Sequence, residues 1–161
     1  MFLFRTIKFL LMIDQEKKGE NLFVFVSHDK IDFDELKNEL GNALKKNKNV
    51  KFKVEPCIIH IVCETLEDAE KIQEIGKNSG WKNCGIIGLK NNFIVELNGT
   101  ERLEFPVIRN KKILVDNEFL KIAVDETNRK LEKSWERIKK LESSLRSLSF
   151  EAETSNEREF N

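Results

Sequence analysis

The residues whose type and setting could do chemistry are few: His28, Glu55 and His60. An imidazole can accept or hold a proton near neutral pH. His60 sits inside the apolar string Ile58-Ile59-His60-Ile61-Val62, as a hydrogen-bonded core residue or as an acid–base group. His28 follows Val26-Ser27 at a strand end opening into a loop, a place suited to a pocket. Glu55 precedes Pro56 and could take a proton, anchor a ligand hydroxyl or stay a solvated charge. Lys45, Lys46, Lys48, Lys51 and Lys53 form a basic cluster, with Lys111 and Lys112 as a smaller one. Such clusters suit backbone phosphates, or simply a solvated loop.

General motifs of catalysis are missing. The sequence holds no P-loop, no nucleophile elbow and no G-x-G-x-x-G after a strand. Gly85-Ile86-Ile87-Gly88 has the spacing of an RNA-clamping loop, but its apolar centre reads as a strand. Cys57, Cys63 and Cys84 are odd in number and irregular in spacing, which argues against a disulfide framework and a zinc site. No metal is expected, and the cytoplasm is the expected compartment.

These groups must be positioned by a core that 161 residues can build. Hydrophobic residues make up 40% and charged residues 35%, a composition that excludes a disordered chain. The formal charge of +0 means that any nucleic-acid surface is a local patch. The apolar run Phe2–Ile13 is too short for a membrane span, and Arg5 and Lys8 interrupt it, so it reads as a buried strand.

Leu22–Val26 reads as a second strand. Asp32, with Glu35 three residues on, opens a helix carrying Phe33, Leu36, Leu40, Ala43 and Leu44. Val50, Phe52 and Val54 alternate with lysines as on a half-buried strand, and Ile58–Val62 reads as a central strand covered on both faces. Pro56 breaks the two apart. Thr65 and Asp68 open a second helix with Leu66, Ala69, Ile72 and Ile75 on one face, closed by Asn78-Ser79-Gly80. Trp81–Leu89, Phe93–Leu97 and Thr100–Val107 are short strands, with Asn98-Gly99 as a hairpin turn. Asp116 caps a long last helix with a stripe at Leu120, Val124, Leu131, Trp135, Ile138, Leu145 and Leu148. The expected architecture is α+β: a mixed, mostly antiparallel sheet, two packed helices and a long C-terminal helix, with residues 1–148 as one domain and 149–161 as a polar, disordered tail. The seven-residue spacing from Val124 to Leu145 could also pair two copies, although a monomer is the simpler expectation.

One string is more specific than any of this. Phe52–Cys63, with Glu55-Pro56, His60 and Cys63, is followed by Leu66-Glu67-Asp68-Ala69, Ser79-Gly80-Trp81 and Cys84-Gly85-Ile86. Val95-Glu96, Gly99-Thr100, Glu104-Phe105-Pro106, Leu114-Val115, Glu118-Phe119-Leu120, Asn128, Lys130 and Leu131 continue in order. This series resembles the wybutosine-synthesizing tRNA methyltransferase family, the third-step enzyme, from about Arg5 to Leu145. The resemblance implies S-adenosylmethionine as cofactor. It implies methylation of a ring nitrogen of a tricyclic guanosine derivative beside the anticodon of phenylalanine tRNA. His28, Glu55 and His60 are then the catalytic candidates. Arg5, Ser79, Gly80, Trp81 and Gly85 become cofactor candidates, with Trp81 stacking on a base or filling the core. The five lysines from Lys45 to Lys53 become RNA contacts. The family's Ser-Cys-Ser-Gly-Arg region has no counterpart beyond Arg5, since the chain reads Met1-Phe2-Leu3-Phe4-Arg5. The alternative expectation is therefore a non-catalytic tRNA-binding relative.

Overall fold

A computed structural model describes residues 10–14, 22–46, 48–89 and 92–159, with side chains assigned outside residues 10, 11, 89 and 148–159. The elements are β1 Leu10–Asp14, β2 Phe23–Ser27, α1 Phe33–Lys45, β3 Val50–Val54, β4 Ile58–Cys63 and α2 Leu66–Asn78. They continue with β5 Asn83–Leu89, β6 Asn92–Asn98, β7 Leu103–Arg109, β8 Lys112–Ile113 and α3 Asn117–Glu159. The architecture is α+β with a long C-terminal helix. The strands are antiparallel in every registered pair, in keeping with the expected mostly antiparallel α+β fold, and they form two sheets where one was expected.

Two compact units carry these sheets, one within Ile7–Cys57 and Thr100–Lys133, the other within Ile58–Gly99 and Ser134–Asn161. The first holds the order β2-β1-β3-β7-β8. Strand β3 alternates as its sequence demands: Val50, Phe52 and Val54 are buried, Lys51 and Lys53 half-buried. Helix α1 begins where Asp32 accepts from the Glu35 N–H at 2.7 Å, and it buries Leu36, Leu40 and Ala43. The core joins these to Met12, Val107, Ile108, Leu120, Val124 and Leu131. Phe52 stacks on Phe105 at 4.9 Å, and Phe119 meets Phe105 edge-on at 5.1 Å. A fully buried side chain such as Phe52 contributes about 1.5–3 kcal/mol.

In the second unit the order is β4-β6-β5, with α2 on one face. Thr65 caps α2 by accepting from the Asp68 N–H at 3.1 Å. Ala69, Ile72 and Gly76 are its buried positions, whereas Leu66, expected on that face, is exposed. A Cβ on Gly76 would lie 2.6 Å from a Leu97 methyl, so glycine there lets the helix approach β6 closely. Gly80 then turns the chain with φ +92. Strand β4 lies at the edge of its sheet, not at the centre. Its burial alternates, with Ile59, Ile61 and Cys63 inside and Ile58, His60 and Val62 half-exposed.

Asn98-Gly99 is not a hairpin turn. Strand β6 already has β4 on one edge and β5 on the other, so β7 has no edge of it to join and pairs with β3 in the other sheet. The tight hairpin without a sequence warning is β7–β8. Asn110 and Lys111 both take positive φ, 49 and 61, as a two-residue primed turn requires.

Asp116 caps α3, accepting from the Phe119 N–H at 2.8 Å. The helix backbone continues to Glu159, past Ser149, where a polar tail was expected. Its buried residues include Leu120, Val124, Thr127, Leu131, Ser134 and Leu141; Trp135 is 37% exposed. Ser134 and Trp135 lie three and four residues after Leu131, and it is Ser134 that takes the buried side.

One side-chain clamp sets the loop after β2. Asn128 on α3 accepts from the Ile31 N–H at 3.1 Å and donates to the Ile31 carbonyl at 2.8 Å. Asn128→Ala leaves both backbone groups without that partner. It should lower stability in urea unfolding by about 1–3 kcal/mol. Glu126, held by Arg129 and Lys130, keeps its carboxyl down at about 2 rather than near 4.5. A lowered folded-state value stabilises above the unfolded value and is lost as pH falls through the folded one. Stability should therefore fall more steeply between about pH 4.5 and pH 2 in the parent than in Glu126→Gln, as read by denaturant midpoints.

Candidate functional site

Antiparallel register decides which side chains share a face. His60 on β4 faces Glu96 on β6, and Glu96 faces Gly85 on β5. These three form a row across the sheet, on the face opposite the one α2 covers. His60 Nε2 and Glu96 Oε2 are 2.8 Å apart, with side chains 39% and 35% exposed. His60 is thus not enclosed in the core, as the apolar string around it suggested. It is half open to solvent and held by a carboxylate. A Cβ built on Gly85 meets nothing within 4 Å among the described residues, which leaves space beside Glu96. Val62 and Ile94, register partners, and Ile87 opposite Ile94 give that row an apolar flank.

In the neutral tautomer whose Nε2–H donates to Glu96, the lone pair of His60 is on Nδ1, the arrangement of a proton acceptor oriented by a carboxylate. Glu96 did not stand out in the sequence as a reactive group. The available signal was a lone acid between Val95 and Leu97 on a strand, and its meaning depended on knowing that β4 and β6 pair.

The other catalytic candidates belong to the first unit. His28 is exposed just after β2, in a turn where the Ser27 hydroxyl accepts from the Asp29 N–H at 3.1 Å. Glu55 follows β3 and is paired with Lys53 at 2.5 Å. Ser27 aligns with Leu10, and Leu10 with Val54, so His28 and Glu55 leave the same end of the sheet with β1 between them. Strand spacing sets their backbones about 10 Å apart.

The proposed cofactor residues do not gather in one place. Arg5 lies outside the described residues. Trp81 is 0% exposed, and Arg137 lies 5.4 Å over its ring, so the indole fills the core and is not presented for stacking on a base. Ser79, itself buried, lines a cleft with Asn78, Lys139, Lys140, Ser143 and Ser144. Gly80 serves the turn after α2. Gly85 alone of the set lies beside His60 and Glu96.

The basic cluster is partly neutralised. Lys48 lies 3.6 Å from buried Asp14, Lys51 3.1 Å from Glu104, and Lys53 is taken by Glu55. Lys45 and Lys46 are exposed at the end of α1. Among the described residues no group of three or more His, Cys, Asp or Glu could hold a metal ion. Burial pushes the Cys63 thiol up, with Asp68 adding to the shift, so it is a poor nucleophile. No helix among the described residues is long and apolar enough to cross a membrane.

Comparison with known proteins gives this geometry a family. The family described as Methyltransferase TYW3 matches residues 12–147. A protein of Thermococcus kodakarensis named tRNA(Phe) 7-((3-amino-3-carboxypropyl)-4-demethylwyosine(37)-N(4))-methyltransferase 2 is 38% identical over 121 residues, 75% of this chain and 56% of that protein. The tRNA wybutosine-synthesizing protein 3 homolog of Xenopus laevis is 34% identical over 124 residues, 76% of this chain and 48% of that protein. The chain thus spans about half the length of these relatives. The solved structure of the PH1069 protein from Pyrococcus horikoshii is similar with a TM-score of 0.73 and 26% identity, over 86% of this chain and 73% of that one. A match that runs through both sheets and most of α3 leaves one conclusion: this chain belongs to the Methyltransferase TYW3 family.

Proposed function

We propose that this chain methylates a ring nitrogen of the tricyclic wybutosine-precursor base beside the anticodon of phenylalanine tRNA, using S-adenosylmethionine. The observation that carries the reading is the His60–Glu96 pair on a half-exposed sheet face beside the open space at Gly85. The names of the relatives, which specify tRNA(Phe) and an N(4)-methyltransferase, support the substrate class.

A nitrogen that carries hydrogen must lose it when it gains a methyl group. His60 Nδ1 is the group proposed to receive that proton, and Glu96 stabilises the imidazolium that results. S-adenosylmethionine supplies, when bound, a methyl group on a sulfonium leaving group. Of the residues first assigned to it, Gly85 fits: it leaves room at an apolar flank of Val62, Ile87 and Ile94 where a planar ring can lie. Trp81 does not fit, because its ring is buried. What the face does for the reaction is chiefly orientation of two partners.

His28 and Glu55 remain proposed as substrate-facing groups at the end of the first sheet. Exposed Lys45 and Lys46 are the members of the basic cluster best placed to meet phosphates. They also support the second reading, a tRNA-binding relative without catalysis. We further propose a monomer in the cytoplasm, with residues 1–148 acting as one domain.

His60→Ala should lower kcat for methyl transfer by about 10² or more, the low end of general-base effects, and Glu96→Gln by a smaller factor, with KM for tRNA little changed. Unchanged kcat in His60→Ala would remove His60 from the mechanism. Gly85→Val places a β-favouring side chain in open space, so its melting temperature should hold or rise while methyl transfer drops about tenfold or more. A folded Gly85→Val chain with parental activity would show that nothing binds over that residue.

A further inference from the structure

The cleft at the end of α2 has not been used by the reaction, and its lining is uniform in character. It is a shallow, open depression of about 420 Å³ between Asn78 and Ser79 on one side and Lys139, Lys140, Ser143 and Ser144 of α3 on the other. Among the described residues no carboxylate lines it. The α3 residues recur at i, i+1, i+4 and i+5, which keeps them on one face of the helix. Glu142, which lies between them in sequence, is turned to Arg146 at 2.8 Å. Ser79 is buried, and its hydroxyl reaches Ser144 at only 3.4 Å, a weak bond that an incoming oxygen can replace.

We propose that this cleft holds backbone phosphates of the tRNA through Lys139 and Lys140, with Asn78 and Ser79 as neutral hydrogen-bond donors, since the Ser143 and Ser144 hydroxyls donate to the Lys139 and Lys140 carbonyls. The proposal rests on the tRNA reading above and adds a second contact to it. Helix α2 presents its C-terminal, electronegative end here, which repels an anion. The two lysines therefore supply all of the attraction, and the site depends on them more than an ordinary basic surface would. The cleft lies at the end of α2, on the side of the three-stranded sheet that α2 covers, whereas His60 and Glu96 occupy the other face. A tRNA that meets both must pass around the sheet, so the cleft takes a stretch of backbone away from the base being methylated. Contacts to phosphates fix register and carry no sequence information.

The test uses the full chain and phenylalanine tRNA lacking the methyl group, with binding read by fluorescence anisotropy over a range of salt. Lys139→Ala/Lys140→Ala should weaken binding about tenfold at low salt and lower the slope of log K against log salt by about 1.4–1.8, two phosphates' worth. At saturating tRNA its kcat should equal the parent's, so the loss sits in KM. Lys139→Arg/Lys140→Arg should bind as the parent does. If the alanine chain melts early, Lys139→Gln/Lys140→Gln gives the same readout with longer side chains retained. Unchanged affinity and slope in a folded, neutralised chain would overturn the site and leave the lysines as partners of the α2 terminus. A parent chain that binds tRNA without methylating it would overturn the proposed reaction and leave this site standing. A parent that binds no tRNA would overturn both.

Discussion

Strand β6 has both of its edges hydrogen-bonded, to β4 on one side and to β5 on the other. That single constraint fixes the row His60–Glu96–Gly85, because antiparallel register leaves no freedom in which residues face each other. A slip of one residue would bring buried Val95 and Leu97 to the open face and send Glu96 into the packing against α2. The burial of Val95 and Leu97 is therefore what holds the His–Glu pair in place. The same saturation of β6 sends the chain on to a different sheet after Gly99. There β7 pairs with β3, opposite Val54 at Leu103, so the segment between them leaves and returns at one end of the five-stranded sheet.

Charge in this molecule is mostly balanced locally. Net charge is +0, and three of the five lysines from Lys45 to Lys53 have carboxylate partners. Exposed pairs such as Lys51–Glu104 contribute little to stability, commonly under about 1 kcal/mol. Their effect on partners is larger: a lysine already held by glutamate offers less to a phosphate. In the proposed tRNA reading, the basic places that remain are smaller ones, Lys45 and Lys46 at the end of α1 and Lys139 and Lys140 on α3.

Local features of the fold were readable from the sequence because their chemistry is local. Asp32, Thr65 and Asp116 each accept a bond from the N–H three residues ahead, and each was visible as a cap. The alternation along β3 was visible for the same reason. What escaped was partnership over distance. His60 and Glu96 are 36 residues apart, and Ile31 and Asn128 are 97 apart. Ile58–Val62 looked central because all but His60 are apolar, yet its outer residues sit on a half-open face. Asn98-Gly99 looked like a hairpin because the dipeptide suits one, although the strand before it had no free edge. Trp135 belonged to the apolar stripe of α3, four residues after Leu131, yet Ser134, three after it, takes the buried place. Of the site, His60 stood out by its own chemistry and Gly85 through a family resemblance, and Glu96 became meaningful only beside them.

The central claim is that the open face of the three-stranded sheet serves methyl transfer to a tRNA base. Its most direct test takes phenylalanine tRNA from cells lacking this methylation. The tRNA is incubated with the full chain and S-adenosylmethionine, and the nucleosides are weighed by mass spectrometry. The account predicts one added methyl group on the tricyclic base, lost in His60→Ala. No added methyl, on a tRNA that a full-length relative does methylate, would contradict it and leave a binding protein with the family's fold.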